Sequence, residues 1–101
     1  MAQFDVLRTK GSAIYPLVID VQADLHTKLA TRVVVPLVSR ARYALPATRL
    51  TPTVKVRDDE YVVLFPLIAA VPKSALGALV ASLAPQRSTL LAALDLLVTG
   101  S

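Results

Sequence analysis

Thr53-Val54-Lys55-Val56-Arg57-Asp58-Asp59-Glu60-Tyr61-Val62-Val63-Leu64-Phe65, residues 53–65, decides how the rest of the chain is read. Two apolar, β-branched arms, Thr53 to Val56 and Tyr61 to Phe65, flank the polar segment Arg57-Asp58-Asp59-Glu60. That is the pattern of a hairpin, because β-branched residues fill the arms and aspartates tolerate the unusual backbone of a tight turn. A hairpin near the middle of a chain of 101 residues predicts a mainly β domain, and the flanking segments agree.

Toward the N-terminus, Phe4 to Thr9 largely alternates apolar and polar residues and reads as a first strand, broken at Gly11-Ser12. Leu17-Val18-Ile19-Asp20-Val21 reads as a second strand, and Asp24 to Ala30 as a loop or short turn. Arg32-Val33-Val34-Val35-Pro36-Leu37 is a buried strand in which Pro36, lacking an N–H, belongs at an end, an edge or a bulge. Ser39 to Thr51 is the least apolar stretch, carries three arginines and Pro46, and predicts a long exposed loop. Beyond the hairpin, Ile68-Ala69-Ala70-Val71 is a short strand ending at Pro72. Ala78 to Leu83 stays open: propensity favours helix, length favours strand, and periodicity does not decide.

The C-terminal stretch is a helix. Pro85 suits its first turn, where a missing N–H costs nothing. On a wheel of 3.6 residues per turn, Leu90, Leu91, Leu94, Leu97 and Val98 share the face expected to pack on the sheet. Leu96 falls on the other side, near Ala92 and Ala93, and this second apolar face predicts a two-fold partner. Only Thr99, Gly100 and Ser101 follow, so the helix holds the last residues in place as a contact surface.

Composition narrows the function classes. Hydrophobic residues make up 54% and charged residues 18%, against roughly 45–50% and about 25% in an average domain. The surplus apolar surface points to self-association. A net charge of +4 favours an anionic partner. The basic residues are scattered, however, with Arg40, Arg42 and Arg49 the single loose cluster, and tryptophan is absent. Without a basic run or a stacking platform, direct nucleic-acid binding is not expected. No cysteine excludes disulfides and thiolate metal sites. Asp5, Arg8 and Lys10 do not suit a signal peptide. The charge-free runs Tyr61 to Pro72 and Ser74 to Gln86 fall short of the ~18 residues a spanning helix needs. The expectation is one cytoplasmic domain over residues 1–101.

Catalytic and metal-binding patterns are missing. His26 is the lone imidazole, no serine sits in a nucleophile-elbow context, and an exposed loop histidine beside Asp24 is the plainer reading. Asp58, Asp59 and Glu60 are adjacent, but neighbouring side chains on a hairpin point apart while calcium needs about six oxygens. Asp20 and Asp24 read as structural or surface carboxylates. No cofactor, no metal and no enzymatic activity are expected. Arg40, Arg42 and Arg49 read equally as a solvated loop or as a dock for an acidic peptide, since guanidinium pairs with carboxylate in bidentate fashion.

Several fragments together resemble the CcdB family of plasmid and chromosomal toxins. They are Met1-Ala2-Gln3-Phe4-Asp5-Val6, Val18 to Asp24, Val33-Val34-Val35-Pro36-Leu37, Leu50-Thr51-Pro52 and Ala70-Val71-Pro72. Leu76-Gly77, Val80-Ala81-Ser82-Leu83, and Ala93-Leu94-Asp95-Leu96 before Gly100 continue the match in collinear order along essentially the whole chain. The resemblance implies a homodimer of protomers built as an SH3-like antiparallel barrel with a small inserted sheet and one C-terminal helix. It makes Ala78 to Leu83 a strand. It also implies a toxin that enters the dimerisation region of the A subunit of DNA gyrase with its last residues, here Thr99, Gly100 and Ser101, and traps gyrase on cleaved DNA. A CcdA-type antitoxin with an acidic, disordered tail would neutralise it, and Arg40, Arg42 and Arg49 are the candidate contacts. Leu96, Ala92 and Ala93 are the candidate dimer residues. One departure stands out: family poisons end in Trp-Gly-Ile, and this chain keeps only the glycine. The alternative expectation is a protein of the same fold that binds its antitoxin with weak or no gyrase poisoning.

Overall fold

A computed structural model describes residues 2–11, 14–26 and 28–100, with the backbone alone at residue 26. Among them are seven strands: β1 (Asp5–Thr9), β2 (Leu17–Asp20), β3 (Thr31–Ser39), β4 (Thr53–Val56), β5 (Asp59–Val63), β6 (Ala69–Pro72) and β7 (Leu76–Ser82). One α-helix, α1 (Arg87–Thr99), follows. The strands form a curled, all-antiparallel half-barrel in the order β4-β5-β3-β2-β1-β7, with β6 added to β3. The mainly β reading and the single C-terminal helix are correct, and Ala78 to Leu83 falls mostly in β7, as a strand.

Strand alternation builds two cores on opposite faces of the sheet. Val6, Leu17, Ile19, Val35, Leu37, Val54, Val56 and Val63 point to the face that α1 covers with Leu90 and Ala93. The intervening residues Leu7, Val18 and Val34, with Leu76, form a smaller cluster on the back face. Pro36 sits in mid-strand without breaking a ladder. On one side β3 hands over from β6, paired through Val34, to β5, paired from Leu37. Pro36 faces that hand-over: its carbonyl accepts from the Leu64 N–H at 3.0 Å. The N–H it lacks would point the same way, so β2 loses nothing.

The hairpin is tighter than the sequence reading. Val56 pairs with Asp59 and Lys55 with Glu60, so the turn is only Arg57-Asp58 and the next two acids belong to β5. The positive φ of the turn, 58°, falls on Arg57 and not on an aspartate. A second non-glycine at positive φ is Phe4, at 70°. Ala2 to Asp5 forms a turn in which the Asp5 N–H donates to the Ala2 carbonyl at 3.1 Å. Phe4 takes the third position, where a left-handed conformation normally selects glycine. Burial of its ring offsets a backbone strain on the order of 1–2 kcal/mol.

Candidate functional site

The end of α1 is built from its own backbone. Gly100, at φ 78°, is the left-handed cap, and its N–H donates to the Leu96 carbonyl at 3.0 Å. The Thr99 hydroxyl turns back to the Asp95 carbonyl at 2.6 Å. Val98, 73% exposed, and the exposed Thr99 and Gly100 therefore form a short tip that meets solvent; Ser101 lies outside the described residues. A glycine cap that closes the last carbonyls is a common helix stop, and here it leaves no side chain at the tip larger than Val98.

The face that α1 buries is rotated from the wheel expectation. Leu90 and Ala93 are its fully buried residues, and Leu91, Leu94, Leu96 and Leu97 are half-buried around them. Ala93 was expected beside Leu96 on a second face; it is 2% exposed and belongs to the chain's own core. The wheel weights large apolar residues, whereas here the small Ala93 takes a place on the buried face and Val98 lies in solvent. Leu96 consequently lies on a flank, half-buried, with Ala92 exposed beyond it.

The three arginines divide. The Arg40 guanidinium donates to the Leu45 carbonyl at 2.9 Å and to the Tyr43 carbonyl at 3.4 Å, so it folds its own loop. Arg42 and Arg49 are exposed. Arg49 lines a cavity of about 270 Å³ with Pro52, Thr89, Ala92 and Ala93. That places an arginine of the polar loop against the flank of α1, two surfaces that the sequence presents as separate.

The strongest polar structure was not visible in the sequence. Arg32 and Asp20 are both fully buried and joined by an ion pair at 2.8 Å. The Arg32 guanidinium also donates to the Gln22 carbonyl at 3.3 Å, while the Gln22 side chain accepts from the Val33 N–H and Asp20 accepts from the Gln22 N–H. Burial pushes the Asp20 carboxyl above its ordinary range, against the opposing pull of Arg32 and of the Gln22 N–H; the nearby Asp5 pushes it further up. Among the described residues, no buried side-chain polar atom lacks a partner. The pair is structural: it pins the chain where it leaves β2. Opposite charges at the facing ends of the two strands, Asp20 and Arg32, were the available signal, because β2–β3 pairing makes them diagonal neighbours on one face.

The chain start rests on that stretch. The Phe4 N–H donates to the Asp20 carbonyl, the Gln3 side chain to the Val21 carbonyl, and the Gln3 N–H to the Asp24 carboxylate. Arg87, the first residue of α1, donates to the Gln3 side chain at 2.8 Å and stands 5.6 Å over the Phe4 ring. Asp20 and Asp24 thus each accept a backbone N–H, from Gln22 and Gln3 respectively. The side chain of His26 lies outside the described residues. No cluster of three metal-ligating side chains occurs among the described residues.

On the back face, Val18, Val34, Pro36, Leu67, Ala69 and Val71 floor a half-open apolar cavity of about 400 Å³ with Lys10 and Tyr15 among its lining. It is turned away from α1 by strand alternation. No helix among the described residues is long and apolar enough to cross a membrane.

A family model described as CcdB protein matches residues 3–100. With a curled antiparallel sheet and a single C-terminal helix spanning that range, the chain belongs to the CcdB family, toxins of type II toxin–antitoxin pairs.

Proposed function

We propose that this chain is a non-enzymatic toxin acting in the cytoplasm as a homodimer, whose helix tips meet the dimerisation region of DNA gyrase and trap gyrase on cleaved DNA. Family membership over residues 3–100 carries the reading. The capped tip of α1 supports it, since Thr99 and Gly100 are held by the helix and left exposed. Thr99, Gly100 and Ser101 make the gyrase contact. The second protomer seats along the flank of α1 at Leu96 and Ala92. A CcdA-type antitoxin with an acidic tail pairs with Arg42 and Arg49, which are exposed on the polar loop; Arg40 is committed to its loop.

One observation favours a second reading, a protein of the same fold that binds its antitoxin with weak or no poisoning. Where family poisons carry tryptophan, Thr99 folds its hydroxyl onto its own helix. An indole would supply on the order of 150–250 Å² of buried surface and a cation–π contact of about 0.5–2 kcal/mol. A cleavage assay with purified gyrase separates the two. Trapped cleavage complex at micromolar protein supports the poison, and none at high excess removes it. Thr99→Trp is expected to raise gyrase affinity at least tenfold if the tip is the contact; an unchanged affinity counts against the tip.

A further inference from the structure

The two ends of the strand path, β4 and β7, are not joined by a backbone ladder, yet they are stitched by side chains. The two-residue turn makes Val56–Asp59 and Val54–Tyr61 the bonded pairs of the hairpin, so Lys55 turns its N–H and C=O outward, away from β5. The Gln86 side-chain amide occupies both. The Lys55 N–H donates to Gln86 Oε1 at 3.3 Å, and Gln86 Nε2 donates to the Lys55 carbonyl at 3.0 Å. A residue of a neighbouring strand would exchange the same two bonds. Nearby, the Arg57 guanidinium of the hairpin turn donates to the Val80 carbonyl at 3.2 Å. Val80 lies in the irregularity of the β1–β7 ladder, where the register steps from Val6–Ala81 to Leu7–Leu79, so its carbonyl is available to a side chain.

We infer that Gln86 and Arg57 form a side-chain latch that closes the half-barrel between its edge strands β4 and β7. Gln86 stands in the 3-10 turn Ala84–Gln86, directly before α1. Its backbone is fixed by the bond from its N–H to the Leu83 carbonyl at 2.8 Å, which aims the side chain at β4. The latch therefore fastens the hairpin to the chain that enters α1. It also covers the outward polar groups of an edge strand that would otherwise be free to pair with another chain. When it opens, the β4 edge is bared while the two cores stay packed, because neither Gln86 nor Arg57 belongs to them.

Amide hydrogen exchange on the full chain tests this residue by residue. In the unmodified protein the Lys55 amide is protected. Gln86→Ala is expected to speed its exchange at least tenfold, with the amides of Ile19 and Val35 in the central β2–β3 ladder unchanged as internal references. Gln86→Glu keeps the acceptor for the Lys55 N–H but loses the donor to the Lys55 carbonyl, and falls between the two. Arg57→Ala also speeds Lys55 exchange, because the two stitches close one seam. A Lys55 amide that exchanges in Gln86→Ala at the rate of the unmodified protein overturns the latch. So does a uniform rise at Lys55, Ile19 and Val35, which would make Gln86 a contributor to global stability only.

Discussion

The two ends of α1 are held in opposite ways. At its start, Arg87 grips Gln3 and stacks over Phe4, which are in turn bonded to the Asp20, Val21 and Asp24 stretch, and Gln86 reaches across to β4. At its finish, Thr99 and Gly100 bond back to Asp95 and Leu96 of the same helix. A helix packed on the sheet as far as Leu97 carries its exposed end to a defined place without burying it. The difference teaches that the tip is positioned by side chains upstream of it, from the grip at Arg87 to the packing of Leu97, and each prediction below breaks or sharpens that division.

The largest effect is expected at the base of the fastened end. Arg32→Met leaves the Asp20 carboxylate buried without its partner, and breaking a buried pair from one side typically destabilises by about 3–5 kcal/mol. Urea unfolding should show this, and Asp20→Leu combined with Arg32→Met should recover most of the loss, since removing both charges also removes the desolvation penalty. A double variant as unstable as the single one would assign Arg32 a role beyond pairing Asp20. The same carboxyl gives a pH test. Its folded pKa is raised above the usual 3.8, so the folded chain holds that proton more tightly than the unfolded chain. Its contribution to stability is then full below that value and declines as pH climbs through the raised folded pKa. The stability of the unmodified protein relative to Asp20→Asn should accordingly fall as pH climbs from below 3.8 through the raised folded value, and a relative rise would contradict the direction.

Next comes the middle of the helix against its end. Leu90→Ala opens a cavity in the larger core and should cost about 2–5 kcal/mol by the urea midpoint, because Leu90 is fully buried. Val98→Ala, two turns on and 73% exposed, should stay within about 0.5 kcal/mol. Comparable losses at both positions would mean that the tip is packed in solution and not exposed.

These contrasts also mark what the sequence made legible. The strands β1, β2, β3 and β6, and the hairpin, were readable because alternation and turn chemistry are local signals, and β7 became readable through the family resemblance. The face of α1 was not, because a wheel weights leucines, whereas the sheet accepts the small Ala93 and turns Val98 outward. The sequence reading puts Arg32 in the buried strand Arg32 to Leu37 without naming a partner, because Asp20, twelve positions earlier, is brought beside it only by the β2–β3 register. The turn at Arg57 was placed on the aspartates for a similar reason: propensity names residues that tolerate positive φ, while the register of the arms decides which residue receives it. At the tip, the glycine was legible as a stop, and the inward turn of Thr99 required the coordinates.

A smaller effect is expected from loosening the grip itself. Arg87→Ala removes one hydrogen bond to Gln3 and a cation–π contact at an exposed site, together on the order of 1 kcal/mol. Arg87→Lys keeps the charge but loses the planar fork that serves both contacts, and should recover less than half of the loss. Full recovery by lysine would make the charge alone, and not the geometry at Phe4 and Gln3, the fastening.

The smallest effect belongs to the exposed end. At Gly100 an added Cβ would meet nothing within 4 Å, so space does not forbid a side chain; only the φ of 78° does. Gly100→Ala therefore pays the left-handed backbone penalty, about 1–2 kcal/mol per residue, with no packing loss. Because the Thr99–Asp95 and Gly100–Leu96 bonds run back into α1 itself, the chain can escape the penalty by fraying its last turn, and the stability from urea unfolding should fall by less than about 0.5 kcal/mol. The amide at position 100, whose partner is the Leu96 carbonyl, should meanwhile lose its exchange protection while Leu94 keeps its own. A midpoint that fell by the full penalty would show the tip to be coupled to the rest of the fold, and the contrast between the two ends of α1 would fail with it.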